Sequence, residues 1–177
     1  MHQGCYRIVE RFVGKNLVAA VYKEILEVGS KDVNGSVRPI FSKHNHHYTG
    51  LDITPGPGVD FITASPYHFI DEQGYWLVPE FYDVVVCANV LEHVEDKEKL
   101  LQEIVRVMAH GALICITVPW TIPIHKDPVN DGTNKDCWRI APDGMIWLAG
   151  RVGLVTLECA LDPTSEASDM YFYGRKP

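Results

Sequence analysis

Two acids and a glycine carry the clearest chemical signal in this chain. Glu27 lies two positions ahead of Gly29 in Glu27-Val28-Gly29-Ser30, and Asp52 follows Gly29 by 23 residues. That spacing suits a nucleotide, with the glycine at a strand end and the distant carboxylate on a ribose. A carboxylate accepts through two oxygens and holds both vicinal hydroxyls of a ribose, which a single amide or hydroxyl does less well. Gly29 lets the backbone turn sharply and come close to a ligand where a side chain would clash. Asn34-Gly35 is a turn pair tolerating positive φ, so the chain can fold back over the strand end, and the loop between is expected to offer bare amides. A glycine loop alone would mean only a structural turn; Asp52 is what makes a cradle of it, and Asp52 is read as the ribose anchor.

Other clusters say less. His44-Asn45-His46-His47 has no carboxylate or cysteine following at metal-ligand spacing, so it reads as a solvated loop and no metal is assigned. Cys5, Cys87, Cys115, Cys137 and Cys159 are odd in number and scattered, which is not a disulfide framework. Cys87 and Cys115 sit in apolar runs and pack as small hydrophobes, leaving Cys5 and Cys137 as the candidates for exposure.

These groups need a sheet to position them. Ile25, Leu26 and Val28 suit a strand buried on both faces, Tyr48 to Ile53 reads as a second, Val59 to Thr63 as a third and Tyr82 to Asn89 as a central fourth. A helix follows from an N-cap at Asp96 to a stop at Gly111, and Ala112 to Val118 is the fifth strand. Val155 to Leu161 and Met170 to Tyr173, split by a turn-rich stretch, form an antiparallel hairpin. Tyr6 to Val13 is a short amphipathic helix, Arg38 to Phe41 one helical turn, Ala64 to Pro79 part helix and part loop, and Pro142 opens a helix ending at Gly150. The polar stretch 119–141 is long enough to suggest that it binds something. The expected fold is therefore α/β, a Rossmann-like seven-stranded, mostly parallel sheet with a C-terminal antiparallel hairpin and helices on both faces.

With 177 residues the chain fits one domain, its cofactor half about 1–94 and its substrate-side loop about 119–141. The 16 basic and 23 acidic residues leave a charge of −7, which repels phosphate backbones and favours a small molecule or glycan over nucleic acid as partner. No apolar run approaches the ~20 residues that span a bilayer, so no membrane is expected and a cytoplasmic location follows by default. Nothing in the sequence reads out an oligomeric state.

Leu26-Glu27-Val28-Gly29-Ser30, Gly50-Leu51-Asp52, Asn89-Val90-Leu91-Glu92-His93-Val94 and Glu103-Ile104-Val105-Arg106-Val107, in this order and spacing, resemble the segments of class I S-adenosylmethionine-dependent methyltransferases, closest to the small type 11 group. The resemblance spans nearly the whole chain. It implies S-adenosylmethionine as cofactor, with Glu27 near the methionine end, Gly29, Ser30 and Asn34 in the lining loop, Asp52 on the ribose and Ile53 on adenine. Asn89 and Val90 would face the methionine moiety, and Ser65 would stand where the family often has an adenine-side acid. Lys31 and Val33 interrupt the family's alternating glycines, so Asn34-Gly35 must do the turning. The 119–141 stretch resembles the family's substrate-side loop, with Trp120, Trp138 and Arg139 walling an acceptor pocket.

Methyl transfer from a sulfonium is an in-line displacement in which alignment and water exclusion matter most and a base is optional. His93 and His125 are the candidate bases if the acceptor is a hydroxyl or amine. Structural alternatives stand beside these roles: His93 bonding a nearby carbonyl, Trp138 packing the loop onto the sheet, and Arg139 pairing with Asp136 or Asp143. Besides a methyltransferase with an unidentified acceptor, two readings stay open: an inactive S-adenosylmethionine-binding protein, and a nicotinamide-dependent oxidoreductase, which the missing Gly-x-Gly-x-x-Gly spacing disfavours.

Overall fold

The computed structural model describes residues 3–17, 21–42, 46–123, 135–165 and 168–177. Helix α1 (Gln3–Asn16) is followed by β1 (Glu24–Val28), α2 (Arg38–Phe41), β2 (His47–Asp52), β3 (Phe61–Ile62) and β4 (Tyr82–Ala88). Then come α3 (Lys97–Val107), β5 (Met108–Val118), α4 (Pro142–Arg151), β6 (Val155–Leu161) and β7 (Met170–Arg175). The strands form one seven-stranded sheet in the order β3-β2-β1-β4-β5-β7-β6. Pairing is parallel from β3 through β5, and β7 runs against both β5 and β6. The expected sheet and terminal hairpin are both present. The chain winds outward from β1 to β3 and returns to β4 on the other side of β1, so the strand order reverses between β1 and β4, where open α/β sheets bind ligands.

Alternate residues of the central strands feed two cores. Ile25, Val84, Val86 and Cys115 pack with Ile8, Val9, Phe12 and Val13 of α1 and Ile40 and Phe41 of α2. Leu26, Val28, Val85, Cys87, Ile114 and Ile116 pack with Leu100, Leu101 and Ile104 of α3 and Met145 and Ala149 of α4. Burial on both faces is why these strands read as unbroken apolar runs. α1 extends three residues beyond its expected span at each end, and this buries Cys5 completely, correcting the expectation that it might be exposed. Its thiol instead lies 3.2 Å from the Thr117 hydroxyl.

Three boundaries differ from expectation. α3 stops at Val107 rather than running to Gly111, because Met108 is already extended and pairs with Tyr82, so β5 starts four residues early. Gly111 sits within β5 at φ +77°, its amide donating to Lys176. β3 is only Phe61–Ile62: the Val59 amide turns back to the Gly56 carbonyl, and the buried Thr63 hydroxyl draws the chain towards the carbonyls of Ser65, His68 and Ile70. Residues 64–79 contain no helix, only the isolated bridges Ser65 to His68 and Ile70 to Trp76.

This strap is held to α3 by Glu103. Its buried carboxylate accepts the Phe69 amide at 2.7 Å and the Arg106 Nε and Nη2 at 2.8 Å each, while Arg106 Nη1 reaches the Leu77 carbonyl. Glu103→Gln replaces one of two charged acceptors by an amide donor and should cost about 2 kcal/mol in urea unfolding, with an unchanged denaturant slope.

Candidate functional site

β1 and β2 bring Glu27, Gly29 and Asp52 to the C-terminal end of the parallel strands, since Glu27 pairs with Gly50 and Val28 with Leu51. Glu27 is 4% exposed and its Oε2 accepts the Tyr48 hydroxyl at 2.7 Å. Burial pushes its carboxyl up to about 7, opposed by the Tyr48 hydrogen bond and the Arg38 guanidinium. Arg38 stacks 4.9 Å from the centre of the Tyr48 ring, donates to the Tyr48 carbonyl and pairs with Asp60.

Gly29 has φ +78°, and a Cβ there would stand 2.2 Å from Val90 Cγ2, so the loops after β1 and β4 touch. The Ser30 hydroxyl is buried without a hydrogen-bond partner, in space that Gly50 provides: a Cβ on Gly50 would fall 2.7 Å from Ser30 Oγ. The loop does not offer bare amides at Gly29 to Asp32 as expected. Those of Gly29 and Ser30 both donate to the Leu51 carbonyl, that of Lys31 to Asp52, and that of Asp32 to Pro57. The Asp32 carboxylate takes the Gly35 amide at 2.7 Å, which closes the turn that carries the exposed Asn34.

Among the described residues, Asp52 accepts the Thr54 amide at 3.0 Å and the Thr54 hydroxyl at 3.1 Å on Oδ1, but only the Lys31 amide, at 3.1 Å, on Oδ2. A carboxylate oxygen accepts about two hydrogen bonds, so Oδ2 keeps a position for a ligand hydroxyl. Ile53, 47% exposed, presents an apolar surface beside it. The half-buried Ser65 accepts the Tyr67 amide and keeps its hydroxyl proton to donate.

Beyond β4 the chain turns at Asn89, in the left-handed region at φ +56°, with its Oδ1 accepting the Thr117 hydroxyl at 2.9 Å. Val90 leans on Gly29, so the turns after β1 and β4 meet here. His93 Nδ1 lies 3.0 Å from the Lys135 carbonyl, and its Nε2 lies 3.6 Å from Glu92 Oε1. His125 lies outside the described residues, as do His44 and Asn45. Arg139 pairs with both oxygens of Asp136 and donates to the Ile122 carbonyl at 3.0 Å. Trp138 is 46% exposed, with Lys97 Nζ 3.6 Å from its ring centre, and Trp120 is half-buried.

Sequence reasoning missed Glu92. It is 1% exposed, and its backbone carbonyl accepts the amides of Cys137 and Trp138, which ties residues 137–138 to the turn after β4. Burial pushes its carboxyl up to about 8; its own amide and Arg139 oppose the shift, and Asp136 and Asp169 add to it. No spacing marks it in the sequence, where it stands only as the neighbour of His93, four residues past the end of β4.

The described residues fit a nucleotide cofactor at one point above all: an orphaned Ser30 hydroxyl beside a ribose-competent Asp52 oxygen. No group of three metal-competent side chains occurs among the described residues, nor a helix long and apolar enough to cross a membrane.

A family model described as a methyltransferase domain matches residues 1–151. Solved structures of similar fold include CurJ carbon methyltransferase, at 15% identity and TM-score 0.67 over 96% of this chain and 53% of that one. Phosphoethanolamine N-methyltransferase 2 of Haemonchus contortus, in complex with S-adenosyl-L-methionine, is 13% identical with TM-score 0.68, over 98% of this chain and 52% of that one. The chain thus spans about half the length of these two proteins. The 1,6-didemethyltoxoflavin-N1-methyltransferase of Burkholderia thailandensis, with bound 1,6-didemethyltoxoflavin and S-adenosylhomocysteine, is 14% identical with TM-score 0.70, over 98% of this chain and 77% of that one.

Proposed function

The chain belongs to the S-adenosylmethionine-dependent methyltransferase family, and we propose that it moves the methyl group to a small-molecule acceptor held at the C-terminal ends of β4 and β5. The single observation that carries the reading is the open Oδ2 position of Asp52 at the end of β2, beside Gly29 and the unpartnered Ser30 hydroxyl. When bound, S-adenosylmethionine supplies an electrophilic methyl group. Asp52 would take ribose hydroxyls, Ile53 and Ser65 would meet the adenine, and Ser30 and Glu27 would serve the methionine end. Asn89 and Val90, held by Thr117 and Gly29, would fix the methyl group's surroundings. The substrate-side loop, tied to the Glu92 carbonyl through Cys137 and Trp138, would exclude water. His93 and His125 stay as proposed bases. One domain and a cytoplasmic location belong to the same proposal.

A second reading, cofactor binding without transfer, is favoured by the commitment of the Gly29 to Asp32 amides to protein acceptors. Calorimetric titration with S-adenosylmethionine, S-adenosylhomocysteine and NAD tests both. Micromolar binding of the first two is expected; binding of NAD alone would overturn the proposal. Cofactor binding with no S-adenosylhomocysteine released across an acceptor panel would favour the second reading.

A further inference from the structure

Lys31 reaches Asp52 by two routes, one through its backbone and one through its side chain. Its amide donates to Asp52 Oδ2 at 3.1 Å, and its Nζ donates to the Thr54 hydroxyl oxygen at 3.2 Å. An ammonium can only donate and Thr54 has a single hydroxyl proton, so that proton goes to Asp52 Oδ1, 3.1 Å away. The direction of every bond in this ring is thereby set. A hydroxyl that accepts from a cation is a better donor in turn, and the Thr54 amide adds a further bond to Oδ1 at 3.0 Å. Asp52 is thus held by Oδ1, with its open position on Oδ2.

The loop makes room for the side chain that does this. The Lys31 stem crosses Gly56, where a Cβ would fall 2.9 Å from Lys31 Cε, 3.0 Å from Cγ and 3.2 Å from Cδ. Gly56 is not among the glycines at positive φ, so what its missing side chain provides is a track for Lys31 rather than freedom to turn. Lys31 also interrupts the alternating glycines of the loop. A glycine in its place would keep the backbone bond to Asp52 and lose the bond to Thr54.

We propose that Lys31 and Thr54 are positioning residues, which set the Asp52 carboxylate for the cofactor ribose before the cofactor arrives; this rests on the methyl-transfer reading above. A side chain that is immobilised only on binding takes part of the ligand's affinity, whereas one already held does not. Lys31 is exposed, and surface substitutions of this kind leave stability nearly unchanged, so its contribution falls on binding rather than on folding.

Calorimetry of the 177-residue chain tests this with S-adenosylhomocysteine and its dideoxyribose analogue, which lacks both ribose hydroxyls. Lys31→Met, Thr54→Val and Gly56→Ala should each weaken S-adenosylhomocysteine roughly fivefold and leave the analogue unchanged. Thr54→Ser keeps the hydroxyl and should restore the affinity. Added to Asp52→Ala, Lys31→Met should cost nothing more, because the group it positions is gone. A loss shared equally by the two compounds would make these residues supports of the loop alone and overturn the proposal. Full affinity in Lys31→Met, or a further loss on top of Asp52→Ala, would overturn it as well. Failure of the unaltered chain to bind S-adenosylhomocysteine would instead strike the methyl-transfer reading itself.

Discussion

Asp52→Ala is expected to weaken S-adenosylmethionine and S-adenosylhomocysteine alike by about a hundredfold, because one or two charge-assisted bonds to ribose are lost and nothing nearby replaces them. The equal loss matters: the ribose is common to both compounds, so unequal losses would put Asp52 at the sulfonium. The Lys31 and Thr54 amides that Asp52 now accepts lie at a loop surface and can turn to water, so the free protein should keep its melting temperature within a few degrees. Asp52→Asn keeps one acceptor without the charge and should lose only about tenfold. Calorimetry of the three proteins decides the matter, and full affinity in Asp52→Ala would remove the residue from the site.

Stability should fall, not rise, as the solution is brought from mildly acid to mildly alkaline. Glu27 and Glu92 have carboxyls raised from 4.5 to about 7 and about 8. Between 4.5 and those values the folded chain binds a proton that the unfolded chain has released, so stability is fully present below 4.5 and is lost as pH rises through the folded values. Each group contributes a slope of about 1.4 kcal/mol per pH unit within its window. Glu158 and Asp162 act in the opposite sense, held below their ordinary values by Lys15 and Tyr171, and by Thr164 and Arg11 against the cost of burial, so their contribution is lost only towards acid. The maximum should therefore lie near pH ~5. Melting scans from acid to alkali check this. Glu27→Gln should flatten the curve up to about 7 and Glu92→Gln up to about 8, whereas Tyr48→Phe should carry the Glu27 limb higher by removing the hydroxyl that supports its carboxylate.

What the sequence revealed follows from how local each signal is. β1, β4 and the hairpin were legible because burial on both faces, or a turn between two apolar runs, is written in consecutive residues. The Asp96 cap was legible for the same reason, its side chain accepting the Lys99 amide at 3.1 Å. The ends of β3 and the strap after it were not, because Thr63 and Glu103 organise them through bonds to residues that propensity does not weigh. In the site, Gly29 and Asp52 could be found by spacing, and the structure places both at the C-terminal ends of adjacent strands. Glu92 could not: its importance comes from burial next to Asp136 and Asp169, 44 and 77 positions on in the sequence. The bare-amide expectation failed because Leu51, on the neighbouring strand, takes two of the loop's donors.

The reversed strand β7 also governs the order of assembly. It lies between β5 and β6, so the sheet cannot complete that side until a strand later in the sequence has slid between two earlier ones. α1 waits on it in turn. Phe12 packs 5.1 Å from the Tyr173 ring, and the Tyr173 hydroxyl donates to the Ile8 carbonyl across 165 positions of sequence. Contacts that join such distant segments carry the largest loop-closure cost and form late. Helix α1, which precedes every strand of the sheet in sequence, is thus among the last elements to find its seat, because that seat is made in part by β7.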